Sequence, residues 1–369
     1  MTLTDLAARR LRNQRLTGPP FASAMDALAW FGAVQSQEYA SAKWALGQRT
    51  RDATEADLDR LFDAGAILRT HVMRPTWHFV APDDVRWMLE LTSPRLTASL
   101  AGWDRQLEVD ATLVTRSYTV IEAALGGGSH LTRSQLATRL AQAGIAAVGP
   151  RLANLVMHAE LDGLVISGPR HGKQFTYALL EERVPRARQR DRDEALAELT
   201  LRYFTSHGPA QVQDFVWWSG LTTADVKRGL ALAAPYLTQE VIGENSYWSF
   251  ADVPEGSARY SPRADESAPS VHLLPNYDEF MVAYRDRAAS LDPSRGLDTT
   301  LLSRGSVLSQ VVLVNGQVRG GWKRQIVGSE VVVELALLDV LDTAADAGLQ
   351  VAARNLARFL GVQLCVSTV

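Results

Sequence analysis

The sequence predicts an α+β protein built from three tandem winged helix-turn-helix modules and a C-terminal β-rich domain. Three observations predict it. Residues 113–180 read as three short helices and a two-stranded hairpin, the layout of a winged helix. Residues 194–250 repeat that layout roughly 80 residues further on, and a repeated unit marks tandem modules. From residue 271 the chain turns strand-rich. Its 369 residues suffice for two or three modules, and the expected boundaries are 1–110, 111–185, 190–255 and 271–369.

The first module is the loosest. TDLAARRLRNQRL, SAMDALAWFGAVQSQ, YASAKWALGQR and TEADLDRLFDAG have helical spacing, and ILRTHVMR and TWHFVA read as strands turning near Met73-Arg74-Pro75. In the second, LVTRSYTVIEAAL is amphipathic and stops at Gly126-Gly127-Gly128. Thr132 is placed to cap the next helix, with Gln135 completing a capping box. RLANLVMHAELDG ends at Gly163, a natural residue just past a helix. LVISG and QFTYALL alternate as strands around a wing tip at Pro169–Lys173. The third module has helices at EALAELTLRYFTSHG, AQVQDFVWWSG and TTADVKRGLALAA, then the hairpin YLTQEVIGENSYWSF. Residues 185–193 read as a charged linker and 252–270 as a loop. Beyond it VHLLP, SQVVLVNGQVRGGWKRQIV and EVVVELALL are strands, with Asn315-Gly316 a type I′ turn signal. A helix near 341–360 and a strand, VQLCVS, close the chain.

Composition excludes several classes. Hydrophobic content of 46% and charged content of 21% are those of a globular protein. The single cysteine, Cys365, allows no internal disulfide and no cysteine-based zinc site. The arginine-bearing N-terminus lacks the apolar core of a signal peptide, so the cytoplasm is the expected compartment. Net charge is −3, against the habit of nucleic-acid binders, although nearly all positive charge is Arg, suited to bidentate phosphate contact. An Arg bias also follows from a GC-rich genome. No GxGxxG, GxxxxGK[ST], HExxH or GxSxG pattern occurs, so no nucleotide, metal or other cofactor is expected.

What remains is the segment AVQSQEYASAKWALGQR, with Gln35 and Gln37 near the end of an apolar helix. By spacing alone these are amides satisfying a helix terminus. The segment resembles the QxQ motif of the AlkZ-like, or YcaQ-like, bacterial winged-helix DNA glycosylases. RPTWHFVAPDD at 74–84, LLPNYDEFMVAYRDR at 273–287 and VLVNGQVRGGWKR at 312–324 resemble further motifs of that family, in the same order. The resemblance is close to the antibiotic self-resistance branch of Streptomyces.

The resemblance implies a monofunctional glycosylase that removes N7-alkylated guanine from double-stranded DNA. It also implies that some members unhook interstrand crosslinks made by a natural product. It maps the catalytic pair onto Gln35 and Gln37. One branch carries an acid at the second position; Gln37 puts this chain in the two-glutamine branch. A Gln is no general base, but it can accept and donate hydrogen bonds and so hold one water for attack on C1′. Because i and i+2 diverge on a helix, convergence requires a helix end or loop at Gln35–Gln37. Adjacent Glu38 offers a rival base. The four lysines give no Schiff-base candidate, and Lys323 reads as a phosphate contact.

The resemblance further implies an open concave DNA-binding surface. Trp44, Trp77 and Tyr284 are candidates to stack on a base, or else core residues. The hairpin at 312–324, with Arg319, Lys323 and Arg324, reads as a ribbon entering a groove, or else as a solvated hairpin. Arg69, Arg74 and His78 flank the first wing, and Arg170 and Lys173 the second. Asp278, Tyr284, Arg285 and Arg287 either line the site or brace the domain, with bracing preferred for Asp278 and Arg287. A glycosylase needs no partner subunit, so a monomer is expected. Two other readings stay open: a winged-helix transcriptional regulator without chemistry, and a protein-binding scaffold. Few residues of RLANLVMHAELDG, namely Arg151, Asn154 and His158, have the chemistry to read bases.

Overall fold

A computed structural model of the chain describes residues 2–184, 188–251, 268–291 and 310–368. Part of the charged linker and most of the loop expected at 252–270 lie outside the described residues. The elements run α1 (Leu3–Asn13), α2 (Ala24–Phe31), β1 (Ala33–Gln35), α3 (Tyr39–Gly47), α4 (Glu55–Asp63), β2 (Leu68–His71), β3 (Trp77–Val80) and α5 (Pro82–Leu107). Next come α6 (Ala111–Leu125), β4 (Leu131–Thr132), α7 (Arg133–Gln142), α8 (Gly149–Leu161), β5 (Val165–Ser167), β6 (Thr176–Leu179) and α9 (Leu180–Arg183). They are followed by α10 (Arg192–Ser206), α11 (Val212–Ser219), α12 (Thr223–Ala233), β7 (Leu237–Ile242) and β8 (Asn245–Phe250). The C-terminal part holds β9 (Val271–Leu274), α13 (Glu279–Val282), β10 (Val311–Val314), β11 (Gln317–Val327), β12 (Glu330–Leu337), α14 (Thr343–Leu360) and β13 (Gln363–Thr368). Among the described residues no helix is long and apolar enough to cross a membrane.

The chain divides into two compact units. One comprises Met1–Leu58, Ala197–Trp218 and Thr222–Val369; the other comprises Asp59–Leu196 with Ser219–Leu221.

In the Asp59–Leu196 unit, β2 and β3 pair antiparallel, and β4, β6 and β5 form a small sheet in that order. Thr132 caps α7 in a full capping box with Gln135. Ile121, Leu125, Leu136, Leu140, Leu152 and Leu155 form the core under this sheet. Helix α5 carries Pro94 in its interior, a residue that normally ends helical spacing, so the sequence pattern does not announce it.

In the other unit, five strands order as β13-β12-β11-β10-β9, antiparallel except for the parallel β12–β13 pair. Asn315 and Gly316 have φ of 48° and 78°, both positive as a type I′ turn demands. The hairpin expected to enter a groove is built into the five-stranded sheet. β10 lies between β9 and β11, and β11 between β10 and β12, so neither strand of the hairpin is an edge. Its tip is covered by α1: a Cβ at Gly316 would sit 2.9 Å from the Ala7 Cβ. The close approach at Gly320 is to a neighbouring strand, where a Cβ would stand 2.4 Å from the Ala336 carbonyl oxygen. Gly316→Ala is expected to lower stability by about 1–3 kcal/mol, from left-handed strain plus the Ala7 contact, read as a drop in urea midpoint.

Candidate active site

The Gln35–Gln37 segment is neither helix terminus nor helix. Gly32, at φ 78°, ends α2, and the chain leaves it as the short strand β1. The segment stays non-helical through Glu38, which is extended at φ −106°, ψ 109° and precedes α3. The Gln35 side chain is buried, at 5% exposure, while Gln37 is exposed.

Two residues of LLPNYDEF hold this segment. The backbone N–H of Gln35 donates to Glu279 Oε1 at 2.8 Å. Glu38, three residues past the strand, accepts from Asn276 Nδ2 at 3.0 and 2.9 Å and from the Ser41 hydroxyl at 3.1 Å. The rival base thus sits in a fixed hydrogen-bonded position.

Glu279 belongs to a buried polar chain. Its Oε2 accepts from the Trp218 indole at 2.9 Å and faces His207 Nε2 at 3.3 Å. The His207 carbonyl accepts from the Tyr284 hydroxyl at 2.7 Å, and that hydroxyl accepts from Gln14 Nε2 at 3.0 Å. Gln14 Oε1 in turn accepts from Arg49, which grips Asp278 through two bonds of 2.7 and 2.8 Å. Asp278 also caps α13, so the sequence preference for bracing there matches its geometry. Arg287, the other residue read as a brace, donates to the Met281 carbonyl at 2.9 Å.

Several expected contact residues lie elsewhere. Tyr284 offers no face to a base: its ring is fully buried, with the Arg10 guanidinium 3.7 Å above the centroid. Burial raises its pKa, and the neutral phenol serves as a relay of hydrogen bonds. Trp44 is core, donating to the Leu273 carbonyl at 2.8 Å and packing on Phe359. Arg319 is tied to Asp339 at 3.1 Å, and Arg324 is partly buried with its pKa lowered by desolvation. Lys323 and Arg285 are exposed, Arg285 with its amide held by Asp214.

The residues expected at the first and second wings belong to the Asp59–Leu196 unit. His78 is fully buried there, its Nδ1 facing the Thr76 carbonyl, which removes it as a surface contact. Arg74 is half-buried, and Trp77 is half-buried against His71 and under Arg69. Arg170 is ion-paired to Asp59 at 3.1 Å, and Lys173 is exposed. All three side chains of α8 with base-reading chemistry are used internally. Asn154 and His158 bond Asp104 at 2.7 and 3.0 Å, and Arg151 donates to the Glu108 carbonyl at 2.9 Å.

A family model for "DNA glycosylase AlkZ-like" matches residues 28–359. The chain belongs to the AlkZ-like DNA glycosylases. Over 339 residues this glycosylase is 23% identical to the interstrand DNA cross-link repair glycosylase of Streptomyces sahachiroi, covering 88% of each chain. The solved structure of Streptomyces sahachiroi DNA glycosylase AlkZ matches it with a TM-score of 0.79 at 21% identity, across 100% of both chains. That likeness speaks to the fold.

Sequence reasoning about the glycosylase missed Glu279, Asn276, His207, Trp218 and Arg49. A signal for the first two was present, since both stand inside LLPNYDEF. Nothing in the spacing tied that motif to Gln35, 244 residues away.

His207 and His272 predict a pH dependence of stability. Burial pushes His207 below the usual value of 6.5, against the pull of Glu279, and pushes His272 down to about 4. The folded state therefore binds fewer protons than the unfolded chain once pH falls below 6.5. Stability contributed by keeping these rings neutral is present above the unfolded value and is lost as pH falls from there toward the folded value. A lower urea midpoint near pH ~5 than near pH ~7 is expected, and His207→Asn is expected to flatten the difference.

Proposed function

We propose that this glycosylase is monofunctional and hydrolyses the N-glycosidic bond of N7-alkylated guanine in double-stranded DNA, with Gln35 and Gln37 as the catalytic pair. The observation that carries the reading is the anchored, non-helical QxQ segment. Residues two apart diverge on a helix, and ending α2 at Gly32 releases Gln35 and Gln37 from that divergence.

The chemistry suits neutral amides. A Gln carbonyl orients a water and a Gln NH₂ fixes the pair, but neither takes a proton at neutral pH. An N7-alkylated guanine carries positive charge and departs readily. The protein then has to place the water at C1′ and favour positive charge developing on the sugar, which carbonyl dipoles do. Nothing in this scheme requires a cofactor.

The repeated layouts, α6-β4-α7-α8-β5-β6 and α10-α11-α12-β7-β8, are read as winged helices, with a looser copy before them. Lys323, Arg285 and Lys173 are exposed cations available for phosphate, giving salt-dependent binding without sequence readout. By extension from the Streptomyces sahachiroi relative named for cross-link repair, the substrates include interstrand crosslinks of a DNA-alkylating natural product, in self-resistance. The chain is read as a cytoplasmic monomer. A base-reading regulator is disfavoured by α8, whose Asn154, His158 and Arg151 are all engaged within the protein.

The deciding experiment incubates the protein with a duplex bearing 7-methylguanine, then treats it with alkali. Cleavage at the lesion only after alkali is expected. No release, together with tight binding to an unmodified specific sequence, sinks the reading.

A further inference from the structure

We propose that Asn276 and Glu279 are positioning residues: a clamp that grips the QxQ segment at both ends and sets where its two amides point. The inference rests on the reading of Gln35 and Gln37 as the catalytic pair.

The two grips differ in kind. Glu279 holds the backbone, since its Oε1 accepts the Gln35 N–H at 2.8 Å. A backbone anchor at the end of a strand fixes the direction in which the Gln35 side chain leaves it. Asn276 holds a side chain, donating to both oxygens of Glu38 at 3.0 and 2.9 Å. Between the grips lies Gln37, which is exposed. An exposed amide that must hold a water within a fraction of an ångström needs its backbone fixed on both sides.

The clamp is itself rigid. Asn276, Tyr277, Asp278 and Glu279 are consecutive, and Tyr277 adopts a left-handed φ of 61°, a conformation that needs support from its surroundings. That support is present on both sides. The bidentate Arg49 pair immobilises Asp278, and Glu279 is held from behind by the Trp218 indole at 2.9 Å. Glu279 is 1% exposed and meets the segment at the Gln35 amide. A buried carboxylate accepting backbone and indole N–H bonds costs desolvation; a wholly apolar residue would fill the same place more cheaply. Its presence fits a demand for direction rather than for stability alone.

The test compares wild type with Asn276→Ala, Glu279→Gln, Gln35→Ala and Gln37→Ala. Four quantities are read: single-turnover release of 7-methylguanine, the Kd for the same duplex, the salt slope of that Kd, and the thermal midpoint. Asn276 is partly exposed and its removal leaves the core intact, so that variant supplies an answer even if Glu279→Gln folds poorly. Release is expected to fall about tenfold for Asn276→Ala and about a hundredfold for Glu279→Gln, the scale on which an ångström of misplacement acts. Kd and salt slope are expected to stay within about twofold, since neither residue is placed at phosphate. Combining Asn276→Ala with Gln37→Ala is expected to add less than the two separate losses, because the clamp has nothing left to aim. A purely structural role predicts the opposite split, with Kd and midpoint moving and release following them. The clamp is overturned if Gln35→Ala or Gln37→Ala abolishes release while Asn276→Ala and Glu279→Gln keep the wild-type rate, or if their losses merely track Kd. If both glutamine variants release base normally, the catalytic pair itself is wrong, an outcome separable from failure of the clamp.

Discussion

Alanine at Gln35 or Gln37 is expected to slow excision of 7-methylguanine by about 10²- to 10³-fold while duplex affinity stays near wild type. The size follows from what the amides do. In the proposed mechanism they accept no proton, so their removal eliminates placement of the water and the dipoles facing the developing cation, and the cationic base still leaves slowly unaided. Double substitution is expected to lose little more than the worse single change, because two groups holding one water act as a unit. Glu38 provides the control on mechanism. If it were a general base, the single-turnover rate would fall with decreasing pH through the carboxylate range; water placement by amides predicts a flat profile there. Retention of excision in both alanine variants would refute the pair.

Arg49→Met is expected to destabilise the unit built around the five-stranded sheet by about 3–5 kcal/mol. Arg49 and Asp278 are 1% and 0% exposed, so the ion pair is not screened by solvent. Removing the guanidinium leaves a carboxylate with no counter-charge in a buried place, and also withdraws donors from the carbonyls of Gln14 and Ala45. Asp278→Leu creates the converse fault and is expected to cost a similar amount. The Arg49→Met, Asp278→Leu double variant is expected to recover a substantial part of the loss, since burying two apolar groups avoids the uncompensated charge. Urea unfolding followed by tryptophan fluorescence reads all three. A single variant within about 0.5 kcal/mol of wild type would show that the pair contributes nothing measurable.

Three of the motifs that carried the family resemblance contribute buried structural contacts. Trp322 of the 312–324 motif donates to the Leu274 carbonyl at 2.8 Å, and Asp84 of the 74–84 motif accepts from the Trp87 indole at 3.0 Å. Asp278 of the third braces through Arg49. Motif residues are often read as chemistry, but a buried polar residue with a required partner leaves an equally sharp sequence pattern.

The sequence by itself determined what local physical chemistry controls. The capping box at Thr132 and Gln135, the type I′ turn at Asn315-Gly316 and the repeated helix-and-hairpin layouts all follow from residues within one turn or one strand pair of each other. Two elements within reach of the same reasoning were masked. Pro94 hid α5, and the apolar run through Val34 imitated a continuing helix where Gly32 ends one. Tertiary structure alone decided the rest. It enclosed the basic hairpin between strands and under α1, buried Tyr284 and His78, and brought Glu279 to the Gln35 amide across 244 residues and Arg49 to Asp278 across 229. The reason is physical: periodicity records which face of an element is buried, but it carries no label for the donor or charge waiting on the other side.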